Sequence, residues 1–453
     1  MLKSINPTTG EIIAAIPEHR EEEIAARLRA AETAFAAWRD MSFASRGALL
    51  RAAAGRLRSG RDRYARLMVE EMGKLLVQAE AEVEKCAWTC DYYADHAEEF
   101  LTPEVVATDA GRSYVRFDPL GVVLAIMPWN FPFWQVIRGA APALMAGNTV
   151  LLKHASNVPR CALALEELFR DAGFPGGVFA VLLIGNAATE AVIRHPSVAA
   201  VTLTGSEGAG MAVGAAAGAE LKKTVLELGG SDPFVVLEDA DLAACVNTAV
   251  TARMINNGQS CIAAKRFIVV EAVAAEFEAE LAHRFAALKI GDPLERDTEL
   301  GPLARKDLVT ELDRQVKASV AAGARLVSGG VPLERPGFFY APTLLAEVRP
   351  GMPAFDEETF GPAAALIRAA DAEEAVALAN RSRYGLGASV WTRSVSRGEE
   401  LARRIEAGAV FVNGMVKSDP RLPFGGVKRS GYGRELARFG IREFVNVKTV
   451  WIA

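Results

Sequence analysis

Val122-Val123-Leu124-Ala125-Ile126-Met127 is a continuous apolar run, and it leads directly into Pro128-Trp129-Asn130-Phe131-Pro132. A short apolar run bounded by turn residues is typical of a strand buried on both faces, as in a parallel sheet. A second such run, Thr149-Val150-Leu151-Leu152, follows it. Further on, strand candidates at 200–203, 224–226 and 234–237 alternate with helix-like stretches at 160–172, 187–194 and 207–217. This alternation predicts an α/β fold with doubly wound parallel sheets and right-handed crossovers.

The pattern differs on either side of this region. Before it, the first hundred residues have helical periodicity, with helices predicted at about 46–76 and 77–100. After it, the alternation resumes, and the predicted elements are a strand at 267–270, helices at 273–288 and 303–322, and a strand at 409–413. A second α/β domain is expected to begin near Gly230. The segment 108–117 and the alternating stretch 444–452 fit neither domain and predict a small projecting sheet used in assembly.

Composition excludes several classes of function. The chain has 453 residues with a net charge of −5, which argues against nucleic-acid and anionic-membrane partners. No apolar run approaches the length of a membrane span. Five cysteines do not form a disulfide framework, so we expect a reduced, cytoplasmic protein. The scattered histidines and the lone pair Cys86 and Cys90 predict no metal site, and packing in the core or at the surface is the expected role of both cysteines.

Two motifs offer reactive groups. Glu227-Leu228-Gly229-Gly230 supplies a carboxylate, and Gly258-Gln259-Ser260-Cys261 supplies a lone thiol. A cysteine attacks only as its thiolate, so a nearby base or dipole must assist it. A helical pattern over 242–257 places Cys261 on a loop just past a helix end, where reactive groups are common. Alone, Cys261 would be taken for a buried structural cysteine, but its flanking residues and Glu227 favour a nucleophile.

Other motifs with candidate functional residues lie at the ends of predicted strands. Asn130 follows the first apolar run, so its amide could donate to a developing oxyanion, although an Asn shaping a turn between prolines is the simpler alternative. Lys153 ends the second run and could meet a ribose or phosphate, unless it is a solvated surface lysine. Gly205 and Ser206 join a strand to a helix, whose free N–H groups suit an anion.

Two further motifs lie toward the C-terminus. Glu358-Thr359-Phe360-Gly361-Pro362 supplies a carboxylate and an aromatic ring before a turn. The glycine-rich stretch 423–431 carries no reactive group of its own and is expected to be structural.

The ordered motifs PWNFP, LLKHAS, TGS, ELGG, GQSC, ETFGP and PFGG resemble those of the aldehyde dehydrogenase superfamily over nearly the whole chain. The fuller strings at 131–138 and 258–266 are most similar to the short bacterial-type succinate-semialdehyde dehydrogenases. The resemblance implies a cofactor-binding Rossmann-like domain at 1–102 and 121–229, a catalytic domain at 230–430 carrying Cys261, and oligomerisation segments at 103–120 and 440–453. It also implies a homodimer or homotetramer that acts on a small aldehyde.

The resemblance assigns catalytic roles to three residues. Cys261 attacks the aldehyde and becomes first a thiohemiacetal and then a thioester. Asn130 and the Cys261 N–H hold the oxyanion, and Glu227 activates the hydrolytic water. The cofactor would be held by residues at matching positions: Trp129, Lys153, Gly205, Ser206, Glu358 and Phe360.

Ser156 bears on the choice of cofactor. Members of the family that prefer NAD commonly carry Glu at this position, where a carboxylate would repel the extra phosphate of NADP. A serine can instead donate a hydrogen bond to that phosphate, and Lys153 adds positive charge. We therefore expect NADP to be preferred, with NAD still possible.

The substrate is expected to be succinate semialdehyde. Arg138 lies two helical turns after Asn130 and could pair with a carboxylate, although a structural ion pair is the alternative. By resemblance, Trp134, Ser260 and Ser418 complete the substrate site. Glutarate semialdehyde or a neutral aliphatic aldehyde remains an alternative substrate. A non-catalytic binding protein on the same scaffold is disfavoured, because every reactive residue is present.

Overall fold

Two large β-sheets organise the chain, and the computed structural model describes all 453 residues. The first sheet has six strands, and all its pairings are parallel except that of the edge strand β19. With strands numbered along the chain, it contains β5 (Val122–Met127), β6 (Thr149–His154), β7 (Phe179–Val181), β8 (Val198–Thr204), β9 (Lys223–Glu227) and β19 (Gly431–Tyr432).

The strand order of the first sheet is β19-β9-β8-β5-β6-β7. From β5 the chain moves outward through β6 and β7, and it then returns to build β8 and β9 on the other side. The order therefore reverses beside β5, and the crevice at the carboxyl ends of the strands next to such a reversal is where doubly wound sheets bind ligands.

The second sheet has seven strands in the order β12-β13-β14-β11-β10-β16-β17, and only β12 runs antiparallel to its neighbour. The chain enters this sheet within a few residues of leaving β9, close to the predicted division at Gly230. Its strands are β10 (Asp232–Val236), β11 (Ala264–Val270), β12 (Arg325–Ser328), β13 (Thr343–Ala346), β14 (Ala363–Ala369), β16 (Gly387–Trp391) and β17 (Ala409–Val412).

Three small sheets complete the strand set. The segments around 108–117 and 444–452 do pair with each other, in a three-stranded sheet of order β20-β4-β3. The predictions missed the N-terminal hairpin of β1 and β2, because β1 is only four residues long and the β2 sequence, IIAAI, has no alternation of apolar and polar residues. The remaining strands are β1 (Leu2–Ile5), β2 (Ile12–Ile16), β3 (Glu104–Val105), β4 (Arg112–Pro119), β15 (Tyr384–Gly385), β18 (Val427–Lys428) and β20 (Val445–Ile452).

Fifteen helices pack against the sheets, and none has the length and apolar character needed to cross a membrane. They are α1 (Glu21–Trp38), α2 (Phe43–Ser59), α3 (Arg61–Met72), α4 (Leu76–Phe100), α5 (Trp134–Met145), α6 (Pro159–Asp171), α7 (Asn186–Arg194), α8 (Glu207–Ala219), α9 (Leu242–Met254), α10 (Glu271–Ala286), α11 (Lys306–Ala321), α12 (Pro353–Asp356), α13 (Ala372–Asn380), α14 (Val395–Arg404) and α15 (Ala437–Glu443).

The prediction of one helix over 46–76 is wrong, because glycines interrupt it. Gly60 separates α2 from α3, and Gly73 ends α3 with a left-handed φ of 74°. Glycine adopts this conformation without the steric cost that a Cβ imposes.

The helices α2 to α6 form the main hydrophobic core with one face of the first sheet, and Cys86 and Cys90 are buried in it. Both cysteines therefore pack in the core, as predicted.

Candidate active site

The loop that carries Cys261 is shaped by two asparagines. Helix α9 ends at Met254 and is followed by a single 3₁₀ turn, in which Asn256 and Asn257 have left-handed φ angles of 54° and 58°. Asn257 Nδ2 donates to the carbonyls of Gly73 and Pro302 at 2.9 and 3.0 Å. These bonds fix the direction in which the chain approaches Cys261.

Two glycines let the motifs close around this loop. Gly258 has a φ of 77°, and a Cβ there would lie 2.3 Å from the backbone carbonyl of Gly361. A Cβ on Gly230 would lie 2.6 Å from the carbonyl oxygen of Cys261. Only glycine fits at such distances. The ELGG, GQSC and ETFGP motifs therefore meet at one place.

Lys265 fixes the backbone around the nucleophile. Its buried Nζ donates to the carbonyls of Ser260, Cys261 and Ala263 at 3.0, 2.8 and 3.2 Å. Burial raises the pKa of the Cys261 thiol to about 12, although the charges of Arg138 and Lys265 act in the opposite direction. The resting thiol is therefore protonated at neutral pH, and attack on a substrate requires a base.

Asn130 is hydrogen-bonded to the loop that carries Cys261. Its buried Nδ2 donates to the carbonyl of Gln259 at 3.1 Å, and its backbone carbonyl accepts from Asn256 Nδ2 at 2.7 Å. An amide nitrogen carries two hydrogens, so one N–H remains for an oxygen beside Cys261. The position suits the predicted oxyanion contact.

Glu227 ends strand β9 and is a buried carboxyl group whose two oxygens accept no hydrogen bond. Burial, together with the nearby charge of Glu435, raises the pKa of Glu227 to about 8. A buried polar group without a partner is costly, and such groups cluster at functional sites. A carboxyl group with this pKa can act as a base at mildly alkaline pH.

Glu358 and Phe360 belong to the ETFGP motif, which meets the Cys261 loop where Gly361 approaches Gly258. The Glu358 Oε1 atom accepts the N–H of Gly230 at 3.0 Å, and Lys265 Nζ lies 3.8 Å from it. The ring of Phe360 packs edge-on against Trp129 with 5.7 Å between centroids. Glu358 and Phe360, which are predicted to contact the nicotinamide, therefore lie in the same region as Trp129, the predicted wall of the cofactor pocket.

The remaining cofactor candidates follow the strands beside the reversal of strand order. Lys153 is buried at the end of β6 and donates to Asn186 Oδ1 at 3.0 Å, so it is not a solvated surface lysine. Ser156 is exposed just beyond that strand. Ser206 follows Gly205 at the end of β8 and caps α8, its Oγ accepting the N–H of Ala209 at 3.3 Å.

A cavity of about 220 Å³ opens beside Cys261. All four residues predicted to bind the substrate line it, together with residues from α4 and the loop before β18. The four are Trp134, Arg138, Ser260 and Ser418. Phe424 of the PFGG motif also lines it, so the glycine-rich stretch supplies a wall of the cavity in addition to a turn.

Arg138 has a partner that the sequence analysis did not identify. Its Nε lies 2.5 Å from the carboxylate of Glu435, its Nη2 donates to Thr204 Oγ1 at 3.0 Å, and its guanidinium lies over the ring of Phe424. Both members of the ion pair are buried. Arg138 thus forms a structural ion pair and also lines the cavity, so its binding of a substrate carboxylate stays a prediction.

Three functional candidates were missed from the sequence: Lys85, Lys265 and Glu435. Lys265 lies inside the string quoted for the resemblance, and a lysine four residues after a nucleophile is a signal that could have been used. Lys85 lies within a long helix, and Glu435 is far from every other motif. Neither carries a local signal.

Comparisons with known proteins agree with this site. The chain matches the model of the aldehyde dehydrogenase family over residues 1–450. It is 56% identical over 452 residues to a probable succinate-semialdehyde dehydrogenase (NADP+) of Synechocystis sp., with 100% of both chains covered. It is 52% identical over 455 residues to succinate-semialdehyde dehydrogenase (NADP+) 1 of Mycobacterium tuberculosis, again with 100% of both covered.

Solved structures show the same fold. The succinic semialdehyde dehydrogenase of Streptococcus pyogenes, crystallised with NADP+, superposes with a TM-score of 0.98 at 39% identity, covering 100% of each chain. The succinate-semialdehyde dehydrogenase of Burkholderia pseudomallei gives a TM-score of 0.96 at 36% identity, covering 100% of this chain and 94% of that one. The predicted α/β fold is thereby confirmed, and the chain belongs to the aldehyde dehydrogenase family.

Proposed function

We propose that this enzyme oxidises succinate semialdehyde to succinate, with NADP as the hydride acceptor. The observation that carries the proposal is the small cavity at Cys261, whose lining includes cationic and hydroxyl side chains beside Trp134. Such a lining suits a short aldehyde with a carboxylate at its far end. The similarity to enzymes named for this substrate and cofactor supports the same assignment.

The chemistry begins with the Cys261 sulfur, which forms a bond to the aldehyde carbon and loses its proton to a base. Glu227 is the candidate base, because it lies close enough for its charge to affect the pKa of Cys261. The free N–H of Asn130 and the backbone N–H of Cys261 stabilise the oxyanion, and one such donor typically lowers the barrier by about 3–4 kcal/mol.

NADP, when bound, supplies the acceptor for the hydride that leaves the thiohemiacetal. The acyl group that remains is bound to the Cys261 sulfur as a thioester, which water must cleave. Once it has released the thiol proton to solvent, Glu227 accepts the proton of that water, and the Cys261 sulfur leaves as the acid is released. Both roles of Glu227 require its ionised form.

The residues at the ends of β5, β6 and β8 fit a dinucleotide. They lie on neighbouring strands beside the reversal of strand order, and the first turn of α8 presents backbone N–H groups to an anion. Lys153 and Ser156 would hold the adenosine side, with Ser156 facing the extra phosphate of NADP. Trp129, Phe360 and Glu358 would hold the nicotinamide side.

The test is a set of initial rates with succinate semialdehyde and with butanal, each with NADP and with NAD, followed by the absorbance of the reduced cofactor. We expect a high kcat/KM for succinate semialdehyde with NADP and a lower one with NAD. Faster oxidation of butanal than of succinate semialdehyde would contradict the proposed substrate. A higher kcat/KM for glutarate semialdehyde would favour the longer acid.

We also propose a homodimer or homotetramer in the cytoplasm. Strand β20 is an edge strand, and Val447 and Trp451 on it are 61% and 53% exposed, which is a liability unless another chain covers them. All five cysteines are free thiols, as expected in a reducing compartment. Light scattering on the purified protein gives the assembly state, and a monomer would contradict the first part.

A further inference from the structure

The charged side chains around the cavity are mostly neutralised by one another. Arg138 pairs with Glu435 at 2.5 Å, and the buried Lys74 pairs with Glu82. Asp419, next to Ser418 in the chain, pairs with Arg421 at 2.7 Å. None of these paired cations therefore has its charge free to attract an anionic substrate.

Glu82 in particular is fully engaged. Besides its ion pair with Lys74, its Oε1 accepts the N–H groups of Phe133 and Trp134 at 2.9 Å each. These bonds satisfy free donors at the start of α5. Glu82, three residues before Lys85 on the same helix, is therefore committed to other partners.

Lys85 is the one partly buried cation of the cavity lining without an ion pair, since Arg138 is paired and Lys417 is exposed to water. It projects from α4 into the lining of the cavity, partly buried, and forms no ion pair with any carboxylate. Its Nζ donates to Ser418 Oγ at 2.7 Å and lies 4.1 Å from the ring centroid of Trp134. Burial and the charge of Arg138 lower the pKa of Lys85 to about 8, so Lys85 is still mainly protonated and charged at neutral pH.

The contacts of Lys85 also orient it. A cation over a tryptophan ring is held electrostatically, and the bond to Ser418 fixes the direction of one of the three ammonium donors. Two donors remain for a ligand in the cavity. Ser418, one of the predicted substrate residues, thus acts partly by positioning the lysine.

We propose that Lys85 provides the unneutralised positive charge that binds the carboxylate of the substrate. Arg138 lines the same pocket, but its charge is already paired with Glu435. The inference rests on the proposed function and extends it to a specificity-determining residue. A carboxylate entering a partly dry cavity loses hydration, and an unpaired cation compensates that loss better than one already matched by an anion.

The experiment compares Lys85→Met with the wild-type enzyme, using succinate semialdehyde and butanal as substrates of equal carbon number. Methionine keeps the length and packing of the side chain without its charge. We expect kcat/KM for succinate semialdehyde to fall about a hundredfold, mainly through KM, as is typical when one member of a buried charge pair is lost. The kcat/KM for butanal should change less than about twofold.

Lys417→Met is the matched control, because Lys417 borders the same cavity but its side chain is exposed to water. Solvent screens such a charge, so its removal should change KM for succinate semialdehyde less than about threefold. Lys85→Arg, which keeps the charge, should retain most of the preference for the acidic aldehyde.

The outcomes separate the two proposals. If wild-type enzyme does not prefer succinate semialdehyde to butanal, the proposed function fails. If wild type shows the preference but Lys85→Met keeps it, the role of Lys85 is overturned. A loss of both activities in Lys85→Met and in Lys85→Arg would make Lys85 a structural residue and would equally overturn it.

Discussion

The guanidinium of Arg138 and the carboxylate of Glu435 form an ion pair of 2.5 Å between side chains that are only 2% and 3% exposed. The two residues lie almost three hundred positions apart, and the pair joins α5 to the segment that follows β19. Glu435 also acts on Glu227, because its charge raises the pKa of that carboxyl group. One ion pair therefore links the substrate cavity to the candidate base.

Replacing Glu435 should destabilise the protein. In Glu435→Gln the buried charge of Arg138 loses its partner, and such a loss typically costs about 3–5 kcal/mol. Urea unfolding followed by circular dichroism gives the shift in midpoint. Glu373→Gln is the control, since Glu373 pairs with Arg404 at the surface, and its loss should cost less than about 1 kcal/mol. Equal effects of the two substitutions would refute the argument from burial.

The rate should rise with pH because of Glu227. Burial raises its pKa to about 8, so at pH 7 Glu227 is protonated in most enzyme molecules and cannot accept a proton. The active, ionised fraction grows as pH increases through 8. We expect kcat to rise about tenfold per pH unit well below that value and to level off above it. A kcat that is flat between pH 6 and 9 would argue against Glu227 as the base of the slow step.

Glu227→Gln should abolish this pH dependence along with most of the activity. The amide keeps the size of the side chain and cannot accept the proton of water. We expect a fall in kcat of about two to four orders of magnitude, as is typical when a general base is removed. A single-turnover experiment that still shows reduced cofactor but no acid release would place the loss in the hydrolysis of the thioester.

Ser156→Glu should reverse the choice of cofactor. Ser156 is exposed beside Lys153, and a carboxylate there would repel the extra phosphate of NADP. We expect kcat/KM for NADP to fall more than about tenfold, while that for NAD stays the same or rises. Ser156→Ala removes the hydroxyl without adding charge and should cost only a few-fold with NADP. An unchanged NADP preference in Ser156→Glu would place the phosphate elsewhere.

Cys261→Ser should remove aldehyde oxidation. A serine hydroxyl in this buried loop is a far weaker nucleophile than a thiolate, and a loss of at least about a thousandfold is expected. Cys245→Ser is the control, because Cys245 lies on α9 and is buried in a hydrophobic core beside the second sheet. Its replacement should lower stability and leave kcat unchanged. Initial rates together with thiol titration distinguish the two variants.

Residues with local signals were predictable, and those that act through distant partners were not. The strand β5 could be identified because all six of its residues are buried, and Asn130 follows it at the carboxyl end. The helix boundaries near Gly60 and Gly73 were missed because apolar periodicity continues across both glycines. Periodicity reports which face is buried and does not report where the axis turns.

Glu435 and Lys85 illustrate the limit for the site. Nothing in the sequence around Glu435 indicates that it meets Arg138, because that contact depends on β19 joining the first sheet beside β9. Lys85 follows Glu80, Glu82 and Glu84 on its helix, and a solvated lysine is the usual outcome in such a charged stretch. Its role emerges only when the packing of α4 against the cavity is known.

The late position of β19 in the chain has a consequence for biosynthesis. Gly431 and Tyr432 pair with Glu227 and Leu226, so the first sheet gains this edge only after every strand of the second sheet has been synthesised. Until then Glu435 is absent, Arg138 has no counter-charge, and the cavity lacks the wall that Phe424 supplies. A polypeptide that ends before Phe424 thus carries Cys261 without a complete catalytic centre and should be inactive.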